Sequence, residues 1–199
     1  LPTGSSAACL EHVQPAFAAA VLSFLVPEPA HLILQMVSSD TAAEIFRSFS
    51  AETQRVVLEG MSPDRRRQMQ ELLFYPEDSA GRLMTTDVIA FQKDLKVREV
   101  ITRLRATAHK RAATYSYVVG PENKLIGVLN IRDMLLASPD TLIESVMRPE
   151  VFAVPAFTDR EELVHIASAK HFISIPVVDP QGRLIGAVMS QDIMKSGHE

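Results

Sequence analysis

The chain repeats itself, and the repeat limits what it can fold into. KLIGVLNIRDML at 124–135 returns as RLIGAVMSQDIM at 183–194, so Gly127 matches Gly186 and Asp133 matches Asp192, both at a separation of 59. Upstream, YVV at 117–119 matches PVV at 176–178 at the same separation. Leu83-Met84-Thr85 corresponds to Val146-Met147-Arg148, now 63 positions apart. The first copy therefore carries four extra residues, expected in its longer helix ending near AHKR at 108–111. Each copy reads as Met-turn, strand, helix, strand, turn, strand, helix. A repeat of this kind predicts a pseudo-twofold pair in which each copy covers the other's exposed sheet face.

Ahead of the repeat the pattern differs. Residues 11–74 read as helices only, and the chain divides near Tyr75-Pro76. Leu32, Ile33, Met36 and Val37 form a helical stripe. Ser39 is placed to cap the next helix, with Ala42, Ala43, Ile45 and Phe46 as its apolar face. AETQRVVLEG at 51–60 is a short helix closed by Gly60, and Ser62-Pro63-Asp64 starts another. Short helices on short links predict an antiparallel stack. The fold class is α+β: a short helical bundle at 1–79, then α/β copies at 80–138 and 139–199.

Charge narrows the partners. Twenty Lys and Arg against 24 Asp and Glu give a net charge of −4, which offers no field for nucleic acid. Residues 1–80 hold 5 basic and 10 acidic side chains and 81–199 hold 15 and 14, so cation binding is best sought in the first part. One cysteine, Cys9, excludes a disulfide framework or a multi-cysteine metal site within one chain, and the six histidines show no zinc spacing. The longest apolar run, 16–26, stops at Pro27, short of the roughly 20 residues a membrane helix needs. No basic residue precedes it, against a signal peptide. The chain starts at Leu1 rather than Met and reads as a fragment. There is no nucleophile elbow, phosphate-binding Gly-rich loop or HExxH motif, so the expectation is that this is not an enzyme.

In both copies a strand carries an apolar-Gly-apolar step, and the helix after it carries an Asp in its first turn. This resembles the tandem cystathionine β-synthase (CBS) domain, the Bateman module, from Ala80 to about Lys195. Turn geometry and tight packing are both open as reasons for Gly127 and Gly186. The resemblance implies adenosine recognition. An aspartate accepts two hydrogen bonds from a ribose diol, a helix terminus and a basic side chain favour phosphate, and adenine needs an apolar slot or an aromatic face. In the first copy Asp133 holds the ribose position, Arg132 could reach phosphate, and Tyr115 precedes the strand lining the slot. The family often has Ser or Thr three residues before the Asp; here that position is Asn130 in the first copy and Met189 in the second. Asp192 has the alternative of simply capping its helix.

YPEDSAGRLMT at 75–85, between short acidic helices and a CBS pair, is similar to the cytosolic region of MgtE-family magnesium transporters. The resemblance covers about 30–195 and leaves 1–29 without a match. It implies an ATP pocket of Tyr115, Arg132, Asp133 and Phe172, the last enclosing the base. It implies magnesium at Asp40 and Glu44 on the helical part and at Asp159 and Glu161 on the second copy. It further implies a homodimer through the CBS pair, for which Val100, Leu104, Leu163 and Ile166 look exposed, and a transmembrane pore that this chain lacks. The expected place is the cytoplasmic face of the cell membrane, and the expected role is a sensor in which cations bridging acidic faces close the pore. His171 stands where relatives carry an acid and is a poor magnesium ligand. The acids at these helix starts have the alternative of stabilising the macrodipole alone. Arg65-Arg66-Arg67 reads as a solvated face or an intersubunit salt-bridge partner. The competing functions are a stand-alone adenine-nucleotide sensor acting on a partner protein, and a dimerisation module without ligand.

Overall fold

The computed structural model describes residues 9–10, 13–24, 27–107 and 116–195, with the side chains of Pro27, Glu28, Pro29, Asp40, Thr107 and Lys195 outside the description. The chain forms two compact units, residues 1–77 and 78–199.

The first unit contains helices α1 (Pro15–Ser23), α2 (Pro27–Leu34), α3 (Ser39–Arg47), α4 (Ala51–Gly60) and α5 (Pro63–Phe74). Their boundaries follow local chemistry. Pro15 and Pro63 sit in first turns, where a missing N–H costs nothing. Ser50 and Ser62 cap α4 and α5, their hydroxyls accepting from the N–H of Thr53 and Arg65 at 3.3 and 3.4 Å. The cap position of α3 is Ser38, not Ser39; Ser38 bonds the Thr41 hydroxyl at 2.8 Å, and Ser39 is a buried residue of the helix itself.

Ala42, Ala43, Ile45 and Phe46 of α3 are all buried, as their spacing predicts. The stripe around α2 is rotated from expectation. Ile33, Leu34 and Val37 are buried, while Leu32 and Met36 are about half exposed. Gly60 serves a close approach rather than a left-handed turn: a Cβ there would lie 2.6 Å from His31 Nδ1. The arginine run is mostly structural. Arg65 Nη2 donates to the carbonyls of Leu34 and Val37 at 3.3 and 2.8 Å, and Arg66 Nη2 to those of Glu59 and Met61 at 3.0 and 3.3 Å. These guanidiniums satisfy carbonyls orphaned where α2 and α4 end, and Arg67 is exposed.

The second unit opens with the short helix α6 (Ala80–Leu83). The first copy follows as β1 (Ile89–Gln92), α7 (Val97–Thr107), β2 (Ser116–Val119), β3 (Leu125–Leu129) and α8 (Ile131–Leu136). The second is β4 (Val154–Pro155), α9 (Arg160–Lys170), β5 (Ser174–Val178), β6 (Leu184–Met189) and α10 (Ser190–Lys195). The segment expected to hold the four extra residues of the first copy lies outside the described residues. Each copy makes a three-stranded sheet, β1-β2-β3 and β4-β5-β6, whose first pair is parallel and whose second is antiparallel. Val118 faces Gly127 as Val177 faces Gly186, and both ladders slip one residue later, after Val118 and after Val177. The sequence repeat is thus reproduced down to its irregularity.

The first copy's core is Phe91, Val97, Val100, Val118, Leu129, Met134 and Ile143. A second cluster joins the copies: Tyr117 and Val119 of β2 pack with Leu184 and Ala187 of β6. The Tyr117 hydroxyl also meets Ser174 Oγ at 2.9 Å. Each sheet therefore covers the other, as the repeat predicts. The segments leading into the copies cross over. Thr85 pairs with Ala187 of the second copy through N–H···O bonds of 2.9 and 3.0 Å, and Arg148 pairs with Val128 of the first through two of 3.0 Å. Met84 then lies on Gly186 and Met147 on Gly127. Neither glycine has a positive φ, so close packing, not turn geometry, explains both.

The β5–β6 turn does need its glycine, Gly182 at φ +78°. Asp179 organises this turn, accepting from the N–H groups of Gln181 and Arg183 at 3.0 and 2.9 Å and from Arg183 Nε at 2.6 Å. Burial raises its pKa, but these bonds outweigh that and hold the carboxyl below its ordinary 3.8. A depressed carboxyl stabilises the fold above its unfolded pKa, and that stability is lost as pH falls through the folded value. Asp179→Ala is expected to cost about 1.5–3 kcal/mol at neutral pH, the scale of hydrogen bonds to a charge. Melting temperatures measured against pH should show the gap to wild type narrowing below about pH 4.

Candidate nucleotide and cation sites

The strand-to-helix step of the first copy is ordered by Asn130. Its side-chain oxygen accepts from the Arg132 N–H at 2.8 Å and so caps α8. This holds Arg132 and Asp133 in the first turn, with Arg132 exposed and the Asp133 side chain 31% exposed. In the second copy Met189 occupies the position of Asn130 and has no such acceptor. Asp192 nevertheless lies in the first turn of α10.

Asp133 has a partner that sequence reasoning did not include. Arg148 donates from Nε and Nη2 to the same oxygen, Asp133 Oδ2, at 3.2 and 3.1 Å. The repeat carried a signal, since Arg148 stands where the first copy has Thr85. Tyr115 lies outside the described residues. Phe172, between α9 and β5, stacks on Phe152 with centroids 5.8 Å apart and planes at 28°, and Lys170 Nζ lies 5.1 Å from the Phe152 centroid. Phe152 and Lys170 were also missed: Phe152 is 20 residues from the Phe172 ring it stacks on, and Lys170 is 18 residues from the Phe152 ring it lies over. The structure thus joins Asp133 to Arg148, and Phe172 to Phe152. A carboxylate, the Arg132 guanidinium and an aromatic pair are groups suited to ribose, phosphate and base respectively.

The carboxylates assigned to cations differ in state. Asp159 caps α9, Oδ1 accepting from the Glu162 N–H at 2.8 Å, while its side chain stays exposed. Glu161 is exposed in the same first turn. Glu44 is half-buried on α3, and the Asp40 side chain lies outside the description. Among the described residues no three His, Cys, Asp or Glu side chains gather as a metal cage. Asp159 and Glu161 are hard oxygen donors exposed to water, which fits a hydrated magnesium ion rather than a dehydrated one. His171 ends α9 in the left-handed conformation at φ 53°, where its role is to terminate the helix.

The residues expected at a dimer face are core. Val100 is fully buried in the first copy's core and Leu104 packs partly buried against it, while in α9 Leu163 is fully buried and Ile166 nearly so. Exposed apolar side chains lie instead on α8 and α10, where Leu135, Leu136 and Met194 are 70%, 77% and 60% exposed.

Two families match the chain: the MgtE intracellular N domain at residues 1–78, and the CBS domain at 80–140 and again at 143–199. The first match includes the 29 residues that sequence reasoning left without a counterpart. The magnesium transporter MgtE of Thermus thermophilus is 37% identical over 135 residues, 67% of this chain and 30% of that protein. That of Bacillus subtilis is 31% identical over 138 residues, 69% of this chain and 31% of that protein. The chain thus spans about 30% of the length of these relatives. A crystal structure of the cytosolic domain of the Mg2+ channel MgtE in complex with ATP matches with a TM-score of 0.87 at 34% identity, covering 97% of this chain and 79% of that one. Among the described residues no helix is long and apolar enough to cross a membrane.

Proposed function

As a member of the CBS-domain family whose pair follows an MgtE intracellular N domain, this chain belongs with the cytosolic regions of MgtE magnesium transporters, and from that premise we propose that it senses magnesium and an adenine nucleotide to gate a pore carried elsewhere in its parent protein. The observation that supports the nucleotide most is the first copy's site, where an Asn-capped helix start presents Asp133 and Arg132 side by side. Asp133 would take the ribose hydroxyls and Arg132 the phosphates. The Phe152–Phe172 pair would offer the base an aromatic surface, and Tyr115 completes the proposed set.

Magnesium is assigned to Asp40 and Glu44 in the helical unit and to Asp159 and Glu161 in the CBS unit. One or two carboxylates suffice for an ion that keeps most of its water, and such sites are weak enough to follow millimolar concentrations. Without the ion, like charges repel; with it, they do not. That difference would bias a two-state equilibrium that the pore reads. The same reading places the domain at the cytoplasmic face of a membrane, as a homodimer through the CBS pair, with the exposed α8 and α10 residues as its apolar face.

Calorimetry and thermal melting test the cation. Magnesium at about 10 mM, above the millimolar affinities of weak oxygen sites, should raise the melting temperature, and sodium chloride of equal ionic strength should not. The combined Asp40→Asn, Glu44→Gln, Asp159→Asn and Glu161→Gln variant should lose the magnesium increment. An increment of the same size in that variant would refute the assignment.

A further inference from the structure

The Arg148 side chain occupies the group that the nucleotide reading assigns to ribose. Its Nε and Nη2 both donate to Asp133 Oδ2. A carboxylate oxygen has two lone-pair directions, so that oxygen is saturated, and a diol that needs both carboxylate oxygens cannot engage while the pair stands. The arginine is specific to the first copy. At the position equivalent to Arg148 the second copy's Asp192 has Thr85, whose hydroxyl accepts from the Asp87 N–H at 3.2 Å. Nothing in the backbone depends on the arginine side chain, because Arg148 is held to Val128 through its own N–H and C=O at 3.0 Å. The side chain is 64% exposed, so its removal leaves no cavity.

We propose that Arg148 is an internal competitor for the ribose carboxylate: it holds Asp133 Oδ2 and must be displaced when a nucleoside or nucleotide binds. This rests on the nucleotide reading above and adds a setting of affinity to it. The cost of displacement is the worth of the pair. Because the pair is partly exposed, that worth is small and falls with salt. A weak, salt-sensitive competitor moves the binding midpoint without closing the site.

The test titrates ATP and adenosine calorimetrically into the whole chain, its Arg148→Ala variant and its Arg148→Met variant, which keeps much of the aliphatic stem. Both variants should bind both ligands about two- to fivefold tighter, the ratio that partly exposed ion pairs give. Adenosine carries no charge, so its affinity isolates the competitor from phosphate attraction. It should tighten in wild type between about 50 and 500 mM sodium chloride, as screening weakens the pair, and stay flat in both variants. Unchanged affinity in both variants overturns the proposal while nucleotide binding stands. Weaker binding overturns it too, and makes Arg148 a ligand contact. Absence of binding by wild type and both variants removes the nucleotide reading itself, and this inference with it.

Discussion

Asp133→Ala is expected to lower the affinity for ATP by about 1.5–3 kcal/mol, roughly 12- to 150-fold, the scale of lost hydrogen bonds to a charged group. The number is net. Removing the carboxylate takes away the acceptor for the ribose diol, and it also removes the Arg148 ion pair that the ligand has to displace. Asp192→Ala is expected to change the affinity far less. The two aspartates occupy equivalent positions of the repeat, but their settings differ. Asn130 fixes the helix start before Asp133 through its bond to the Arg132 N–H at 2.8 Å, whereas Met189 precedes Asp192. Arg132, adjacent to Asp133, has Gln191 as its counterpart, so the second copy lacks the phosphate cation as well. Calorimetry on the two single variants decides the point. Equal losses would show two competent pockets and refute the asymmetry.

Sequence periodicity located the elements well where one face of each is buried. The repeat of 124–135 in 183–194 foretold both sheets, their matching ladders and their mutual packing. Ala42, Ala43, Ile45 and Phe46 were legible because α3 is polar on its other side. Val100 and Leu163 were misassigned to an outer face for a physical reason. A helical stripe records that a face is apolar, but whether its own sheet or a second molecule covers it depends on non-local packing. The site was legible only in part. Asp133 and Arg132 declare themselves by position in a motif. Arg148 approaches Asp133 only because its backbone pairs with Val128, a contact spanning 20 residues. Phe152 meets Phe172 across the same distance in sequence. Arg65 and Arg66 read as surface charge because carbonyl groups at helix ends leave no mark on composition.

Gly186→Ala is expected to destabilise the CBS unit more than Gly127→Ala, although the two positions are equivalent in the repeat. A Cβ on Gly186 would meet Met84 Sδ at 2.6 Å and the backbone oxygen of Thr85 at 2.8 Å. The sulfur can rotate away. The carbonyl cannot, because it accepts the Ala187 N–H at 3.0 Å while the Thr85 N–H donates to Ala187 at 2.9 Å. Relief therefore requires opening a two-bond bridge that ties the entry segment to the second copy. At Gly127 the three nearest atoms are all in the Met147 side chain, which is flexible at its far end. Overpacking a fitted site costs about 1–3 kcal/mol, so Gly186→Ala should fall near the top of that range and Gly127→Ala near the bottom. Shortening the methionine separates the causes. Met147→Ala combined with Gly127→Ala should destabilise by less than the sum of the two single changes, because the added methyl occupies space the thioether has left. Met84→Ala combined with Gly186→Ala should recover little, since the Thr85 carbonyl remains in place. Chemical denaturation of the four single and two double variants gives both coupling energies. Equal coupling in the two copies would mean that the methionines, and not the backbone bridge, set the tolerance of these glycine positions.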